Sequence, residues 1–169
     1  KKCTAINGDW IRHLGLDELV DRLVPYLVRD GVVADPPSPA DVELIRAVVP
    51  LISERMETLG QASGMVGFLF TDEIVVDEAD AAKILGEQSG EVLAAAEAAL
   101  SALEEWSTEA IEGALRSALI DGLGLKPKVA FGPVRLAITG RRVSPPLFES
   151  MELLGSERSL SRIAGLKGA

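Results

Sequence analysis

Apolar residues in this chain recur every three or four positions, and alternation with a period of two is almost absent. That spacing gathers apolar side chains on one face of a helix, so the sequence predicts an all-α fold. Leu16, Leu19, Val20 and Leu23 follow the pattern. Pro25 falls inside it, so a kink or restart is expected there, with an end at Gly31. Asp35-Pro36-Pro37-Ser38-Pro39 is a turn that leads into a second helix. Ser38 suits its N-cap, Pro39 its first position and Asp41 the positive end of its dipole. Leu44, Ile45, Val48 and Val49 form its buried stripe. Pro50 is expected to break that helix and begin another, which carries Ile52, Arg55, Met56 and Leu59.

Further helices are predicted over 61–70, from Asp77 onward, over 91–103, and from a cap at Ser107 to Gly122, the last carrying Ile111, Leu115 and Leu119. The style then changes. From Lys126 the chain becomes short helices opened by serine or proline and closed by glycine, over 133–140, 144–155 and 156–165. The expected architecture is multihelical with two helical subdomains, 1–76 and 77–169, and a seam near Asp72 to Asp77.

A chain of 169 residues buries a core without covalent staples. Its single cysteine, Cys3, forms no intrachain disulfide and carries no cue to reactivity. One histidine, His13, is too few for a Cys/His zinc site, and no metal site is expected. No apolar run approaches the roughly 20 residues of a membrane span. The start Lys1-Lys2-Cys3-Thr4-Ala5-Ile6 has no apolar leader core and no initiator methionine, so a cytoplasmic piece of something longer is expected.

No catalytic constellation is visible. His13 has no serine or cysteine partner at a recognisable spacing, and Glu104-Glu105 reads as a solvated acidic pair. Gly122-Leu123-Gly124 follows a helix rather than a strand, so it reads as a helix end and not a dinucleotide loop. The charge is more informative. The net charge is −9, yet residues 126–169 hold eight Lys/Arg against three Asp/Glu. A basic segment on an acidic body suits an anionic partner, although chance clustering would look the same. Lys126, Lys128, Arg135, Arg141 and Arg142 surround two glycine-proline turns, and Ser144-Pro145-Pro146 then opens a helix with Phe131 and Phe148 nearby. Basic donors, helix-start amides and aromatics suit unstacked bases and phosphates. The plainer alternative is that the two phenylalanines are core and the charges solvate a surface.

Four segments carry a resemblance. They are Ile6-Asn7-Gly8-Asp9-Trp10-Ile11-Arg12, Leu51-Ile52-Ser53-Glu54-Arg55-Met56-Glu57-Thr58-Leu59, Val134-Arg135-Leu136-Ala137-Ile138-Thr139-Gly140, and the run from Ser144-Pro145-Pro146-Leu147-Phe148-Glu149 to Leu160. In this order they resemble the C-terminal anticodon-binding region of bacterial-type glutamyl-tRNA synthetases, over essentially the whole chain. The catalytic His-Ile-Gly-His and Lys-Met-Ser-Lys-Ser-like motifs of that family do not occur. The resemblance implies an all-α fold in two subdomains and a fragment that binds transfer RNA, with no catalytic residue and no cofactor of its own. ATP and magnesium would serve the parent ligase. It implies that Arg55 reads the third anticodon base, a cytosine. It brings Arg135, Ser144, Pro145 and Leu147 to the other anticodon bases and Arg116 toward the loop backbone. Lys126, Lys128, Arg141 and Arg142 would meet phosphate. A monomer that binds neither DNA nor membrane is expected. The competing expectation is a helical protein–protein adaptor without RNA binding.

Overall fold

The computed structural model describes residues 2–168, with side chains from Gly8 onward. The side chains of Cys3, Ile6 and Asn7 and the last residue, Ala169, lie outside the described residues. Among the described residues there are ten α-helices and no strand. The chain divides into two compact units, Lys1–Thr71 and Asp72–Ala169.

The first unit holds α1 (Lys2–His13), α2 (Leu16–Arg29), α3 (Pro39–Ile52) and α4 (Ala62–Val66), with 3-10 turns at Ser53–Arg55, Leu59–Gln61 and Gly67–Leu69. Its core is Ile11, Leu19, Leu23 and Leu27 from α1 and α2, Ile45, Val48 and Ile52 from α3, and Met56 beyond it. The start of α3 follows its sequence. The Ser38 hydroxyl accepts from the Asp41 amide at 3.1 Å, and the Asp41 carboxylate accepts from the Ser38 amide at 3.2 Å. These reciprocal bonds satisfy two amides that would otherwise lack helical partners. The end of α2 does so too: Gly31 lies at φ 70°, Val32 donates to the Leu27 carbonyl at 2.8 Å, and Gly31 donates to Val28 at 3.0 Å.

The restart allowed for at Pro25 does not occur, and the break expected at Pro50 comes two residues later, after Ile52. α2 runs through Pro25 and α3 through Pro50. Both rings face solvent, the side on which a carbonyl stripped of its helix partner can bond water. Consequently Arg55 is not in the middle of an α-helix. It ends a 3-10 turn, and Met56 is already extended at φ −80°, ψ 131°. Ile52 and Met56 are buried as expected, but Leu59 opens the next turn and is only half-buried. The helix expected over 61–70 is α4 flanked by 3-10 turns.

The second unit holds α5 (Glu78–Ile84), α6 (Ser89–Ser101), α7 (Thr108–Leu115) continuing into a π-helical segment (Arg116–Gly122), α8 (Pro127–Thr139), α9 (Leu147–Leu154) and α10 (Ser156–Gly168). Helices α6, α8 and α10 pack against one another, α7 packs on α9, and α5 on α8. Leu93, Ala96 and Leu100, Ile111, Leu115 and Leu119, Val134 and Ile138, Met151 and Ile163 fill the centre. Arg162 is buried there and donates to the Ile138 carbonyl at 2.7 Å, which satisfies one of the last carbonyls of α8. Burial pushes its pKa down to about 10.

The helix expected from Pro133 begins earlier, with Lys126 as N-cap and Pro127 in first position, and passes through Pro133. Gly132 precedes that proline, and its missing side chain removes the usual clash before a proline ring. It also lets α5 approach: a Cβ on Gly132 would lie 3.2 Å from Ile84 Cγ2. α10 likewise passes Gly165 and ends at Gly168. The division between Thr71 and Asp72 lies at the edge of the seam expected near Asp72 to Asp77, five residues before the expected subdomain boundary at 76. The strip 72–76 belongs with the second unit because the Asp77 amide donates to the Gly140 carbonyl at 2.8 Å and Ile74 and Val76 share a hollow with Ala137, Arg162 and Leu166. Such pairing across some 65 positions leaves no trace in helical periodicity.

Candidate nucleic-acid interface

The second unit opens a cleft of about 820 Å³ between α5 and α8. Lys83 and Ile84 come from α5, and Lys128, Val129, Phe131, Gly132 and Arg135 from α8. Arg142 and Val143 close one end from the turn after α8, and Pro127 also lines the cleft. Four of these residues are cationic and none is acidic. Lys83, Lys128, Arg142, Val129 and Val143 are all exposed.

The turn at residues 140–143 is held firmly. Gly140 ends α8 at φ 75°, in the left-handed region that favours glycine. A Cβ there would lie 2.5 Å from the Val75 carbonyl oxygen, so glycine is also required by space. The Thr139 hydroxyl accepts from the Arg141 amide at 3.2 Å and donates back toward the Arg135 carbonyl at 2.9 Å. The Arg142 amide donates to Asp80 Oδ2 at 2.8 Å, and its Nε lies 3.6 Å from Asp80 Oδ1. Asp80 is thereby committed to the turn.

At the edge of this lining, Arg135 Nη1 donates to Ser144 Oγ at 2.6 Å and to the Pro145 carbonyl at 3.1 Å. The Ser144 hydroxyl donates to that carbonyl at 2.8 Å. A guanidinium, a hydroxyl and a carbonyl therefore form one cluster of donors and acceptors. Ser144 and Pro145 are buried, and Leu147 is 3% exposed. Leu147 is a core residue at the start of α9.

Arg116 sits at the first position of the π-helical segment, a distortion that often marks functional sites. Its guanidinium lies 5.6 Å from the centre of the Phe131 ring, and its Nε donates to Glu112 at 2.7 Å. Phe131 meets Phe148 edge to face with centroids 5.3 Å apart, and both rings are half-buried. Phe131 is thus both packed on Phe148 and part of the cleft wall.

The structure brings Lys128, Arg135 and Arg142 onto one cleft, gathers Ser144 and Pro145 at Arg135, and joins Arg116 to it through Phe131. Lys126 and Arg141 are exposed at the cap of α8 and in the turn, outside the lining. Arg55 belongs to the first unit, where it is exposed. Sequence reasoning missed Lys83. It is the single basic residue between Asp72 and Leu115, and that isolation was the available signal.

The second unit thus sets a cationic cleft beside an arginine-centred hydrogen-bonding cluster on an all-α fold. The family model described as anticodon binding domain matches residues 18–166, and the chain belongs to that family. It is 54% identical to the glutamate–tRNA ligase of Kocuria rhizophila over 99% of this chain and 33% of that protein. It is 49% identical to the glutamate–tRNA ligase of Nocardioides sp. over 99% of this chain and 35% of that protein. The chain thus spans about a third of the length of the curated relatives it matches. The crystal structure of a glutamate tRNA ligase from Elizabethkingia meningosepticum, in complex with its amino acid, superposes with a TM-score of 0.81 over 98% of this chain and 32% of that one. At 19% identity that likeness concerns the fold.

Proposed function

We infer that this chain reads the anticodon loop of a transfer RNA for a glutamate–tRNA ligase. The remaining two thirds of such a protein would activate glutamate with ATP and magnesium and join it to the tRNA, acting as a monomer in the cytoplasm. The observation that carries this reading is the Arg135, Ser144 and Pro145 cluster beside the cationic cleft. A uracil edge offers two carbonyl acceptors and one N–H donor. A guanidinium beside a hydroxyl and a carbonyl offers the matching set. The surrounding cations draw in the backbone without regard to sequence. Those two functions, specification and attraction, fall on different residues.

Arg55 is the proposed reader of the third base. A cytosine shows O2 and N3 as adjacent acceptors, and an arginine fork can meet both. Its exposure at the end of a short turn, with Ile52 and Met56 anchoring the chain on either side, leaves its head at the surface. No DNA binding is proposed, because the cluster suits splayed single-stranded bases rather than a groove.

The test is a binding titration with anticodon stem-loops that differ at one base. Preference for cytosine at the third position and uracil at its neighbours supports the reading. Equal affinity for all loops overturns it.

A further inference from the structure

We propose that Lys83, with Lys128 and Arg142, makes the cleft between α5 and α8 a grip for a phosphodiester group of single-stranded RNA. This deepens the function proposed above and rests on that reading for the identity of the RNA.

Lys83 stands out first by its surroundings in sequence. Asp77, Glu78 and Asp80 precede it, and Glu87 follows it one helical turn later. A lysine there would ordinarily pair with an acid three or four positions away. It does not. Asp80 is bonded to the Arg142 amide and faces its guanidinium. Glu87 lines a separate hollow with Gly86, Gln88 and Ser89. Among the described residues neither Lys83 nor Lys128 takes part in an ion pair.

Geometry supplies the second argument. Lys83 faces the cleft from α5, Lys128 from the first turn of α8, and Arg142 from the turn after α8. The three cations thus come from three separate segments. The close approach of Ile84 to Gly132 fixes the spacing of the two helices. With no carboxylate in the lining, the concave surface concentrates positive potential. Val129 and Phe131 provide apolar wall between the charges, where a sugar or a base face can rest. A lysine ammonium is a point charge that suits phosphate and carries no base code.

The experiment uses the full 169-residue chain and two probes: an anticodon stem-loop and a single-stranded oligouridylate. Affinity is measured across a series of salt concentrations for the wild type, Lys83→Ala, Lys83→Arg and, as a control, Lys167→Ala. Lys167 pairs with Glu97 away from the cleft. Lys83→Ala should lower the logarithmic salt slope by about 0.7 and weaken both probes by about fourfold at roughly 0.15 M salt, the expected loss for one phosphate contact on a single strand. Lys83→Arg should keep the wild-type slope, and Lys167→Ala should change neither quantity. An unchanged slope in Lys83→Ala, or a loss confined to one base sequence, overturns the proposal. If wild type shows no preference among anticodon loops while Lys83→Ala still lowers the slope, the anticodon reading fails and the phosphate grip stands. Circular dichroism of each variant confirms that the exposed substitution leaves the helices intact.

Discussion

The two units spend their positive charges differently. In the first, Arg12 pairs with Asp9, Arg22 with Glu18, Arg29 with Asp30, and Arg46 with Asp17. Three of those partners lie within four residues, and all four pairs are on the surface. In the second, Arg116, Arg142 and Lys167 are paired as well, but Lys83, Lys126, Lys128 and Arg141 meet no carboxylate within ion-pair distance among the described residues. Yet the second unit is the more acidic, with sixteen Asp/Glu against ten Lys/Arg, where the first has ten against seven. Net charge therefore says little about where an anion goes. The distribution decides, because a paired cation offers little field and an unpaired one in a cleft offers much. Thirteen of the sixteen acids of the second unit fall within residues 72–121, and the cleft, with no acid in its lining, gathers four of the ten cations.

The largest expected effect contrasts two glycines of the same conformation. Gly31 ends α2 at φ 70°, and a methyl group added to it would meet no atom within 4 Å. Gly140 ends α8 at φ 75° with the Val75 carbonyl in the way. Gly31→Ala should cost only the left-handed strain of about 1–2 kcal/mol. Gly140→Ala should cost that and about 1–3 kcal/mol more for the overlap. It should also weaken RNA binding, since the turn carrying Arg142 must shift. Chemical denaturation of the two variants checks the order, and equal losses would mean that the Val75 strip yields freely.

Next come the readers. Arg55→Ala should abolish the preference at the third anticodon base, and Arg135→Ala should abolish it at the other positions. A good base contact is worth roughly 1–3 kcal/mol, about five- to 150-fold in preference. Fold stability should change little for Arg55, which is exposed. It should change more for Arg135, whose loss leaves Ser144 Oγ and the Pro145 carbonyl without their guanidinium. Loops varied at single positions, titrated against both variants, separate the two roles. The attracting charges come third. Replacing Lys126 and Lys128 together with alanine should lower the salt slope by about 1.4 for two phosphates. Replacing Arg22 or Arg46 should leave it unchanged, because their charge is already spent on Glu18 and Asp17. A lowered slope in Arg22→Ala would erase the distinction between the units.

Much of this was legible in the sequence, for local reasons. Ser38 and Ser107 cap helices as expected, a helix starts at Asp77 as expected, and each of the three accepts a bond from the amide three residues on. Those signals need only neighbours in the chain. Pro25 and Pro50 misled because proline breaks a helix only where its lost bond cannot be made good, and the sequence does not show which face is wet. Pro133 misled because the glycine before it relieves the clash that would have ended the helix. The site divides between near and far in the same way. The bond between Arg135 and Ser144 spans nine residues and was within reach of the basic cluster and its resemblance. Lys83 faces Lys128 from 45 positions away in the chain, and only the packing of α5 on α8 unites them. The π-helical segment at Arg116 had no sequence signal, since the apolar spacing of Ile111, Leu115 and Leu119 reads as a plain α-helix.

The smallest expected effect belongs to the paired charges of the first unit. Asp30 follows the last residue of α2, and its carboxylate takes two bonds from the Arg29 guanidinium, at 2.7 and 3.0 Å. Those bonds hold its pKa at about 2, below the ordinary 3.8. The folded form therefore prefers the ionised carboxylate. A group whose pKa is depressed by folding stabilises the protein above its unfolded value and loses that contribution as pH falls through its folded value. The contribution should be present at about pH 5, decline below about pH 4, and be gone near pH 2. Both partners are exposed to solvent, so salt weakens the effect. Urea midpoints measured from about pH 5 to about pH 2 should fall less steeply in Asp30→Asn than in wild type, and roughly 0.5 M salt should narrow the difference. Lys126→Ala in the second unit should leave the acid limb as it is in wild type, since Lys126 has no carboxylate to hold. If Asp30→Asn follows the wild-type limb at low salt, the Arg29 pair contributes nothing to the fold, and Arg29 joins the cations that remain available to a partner.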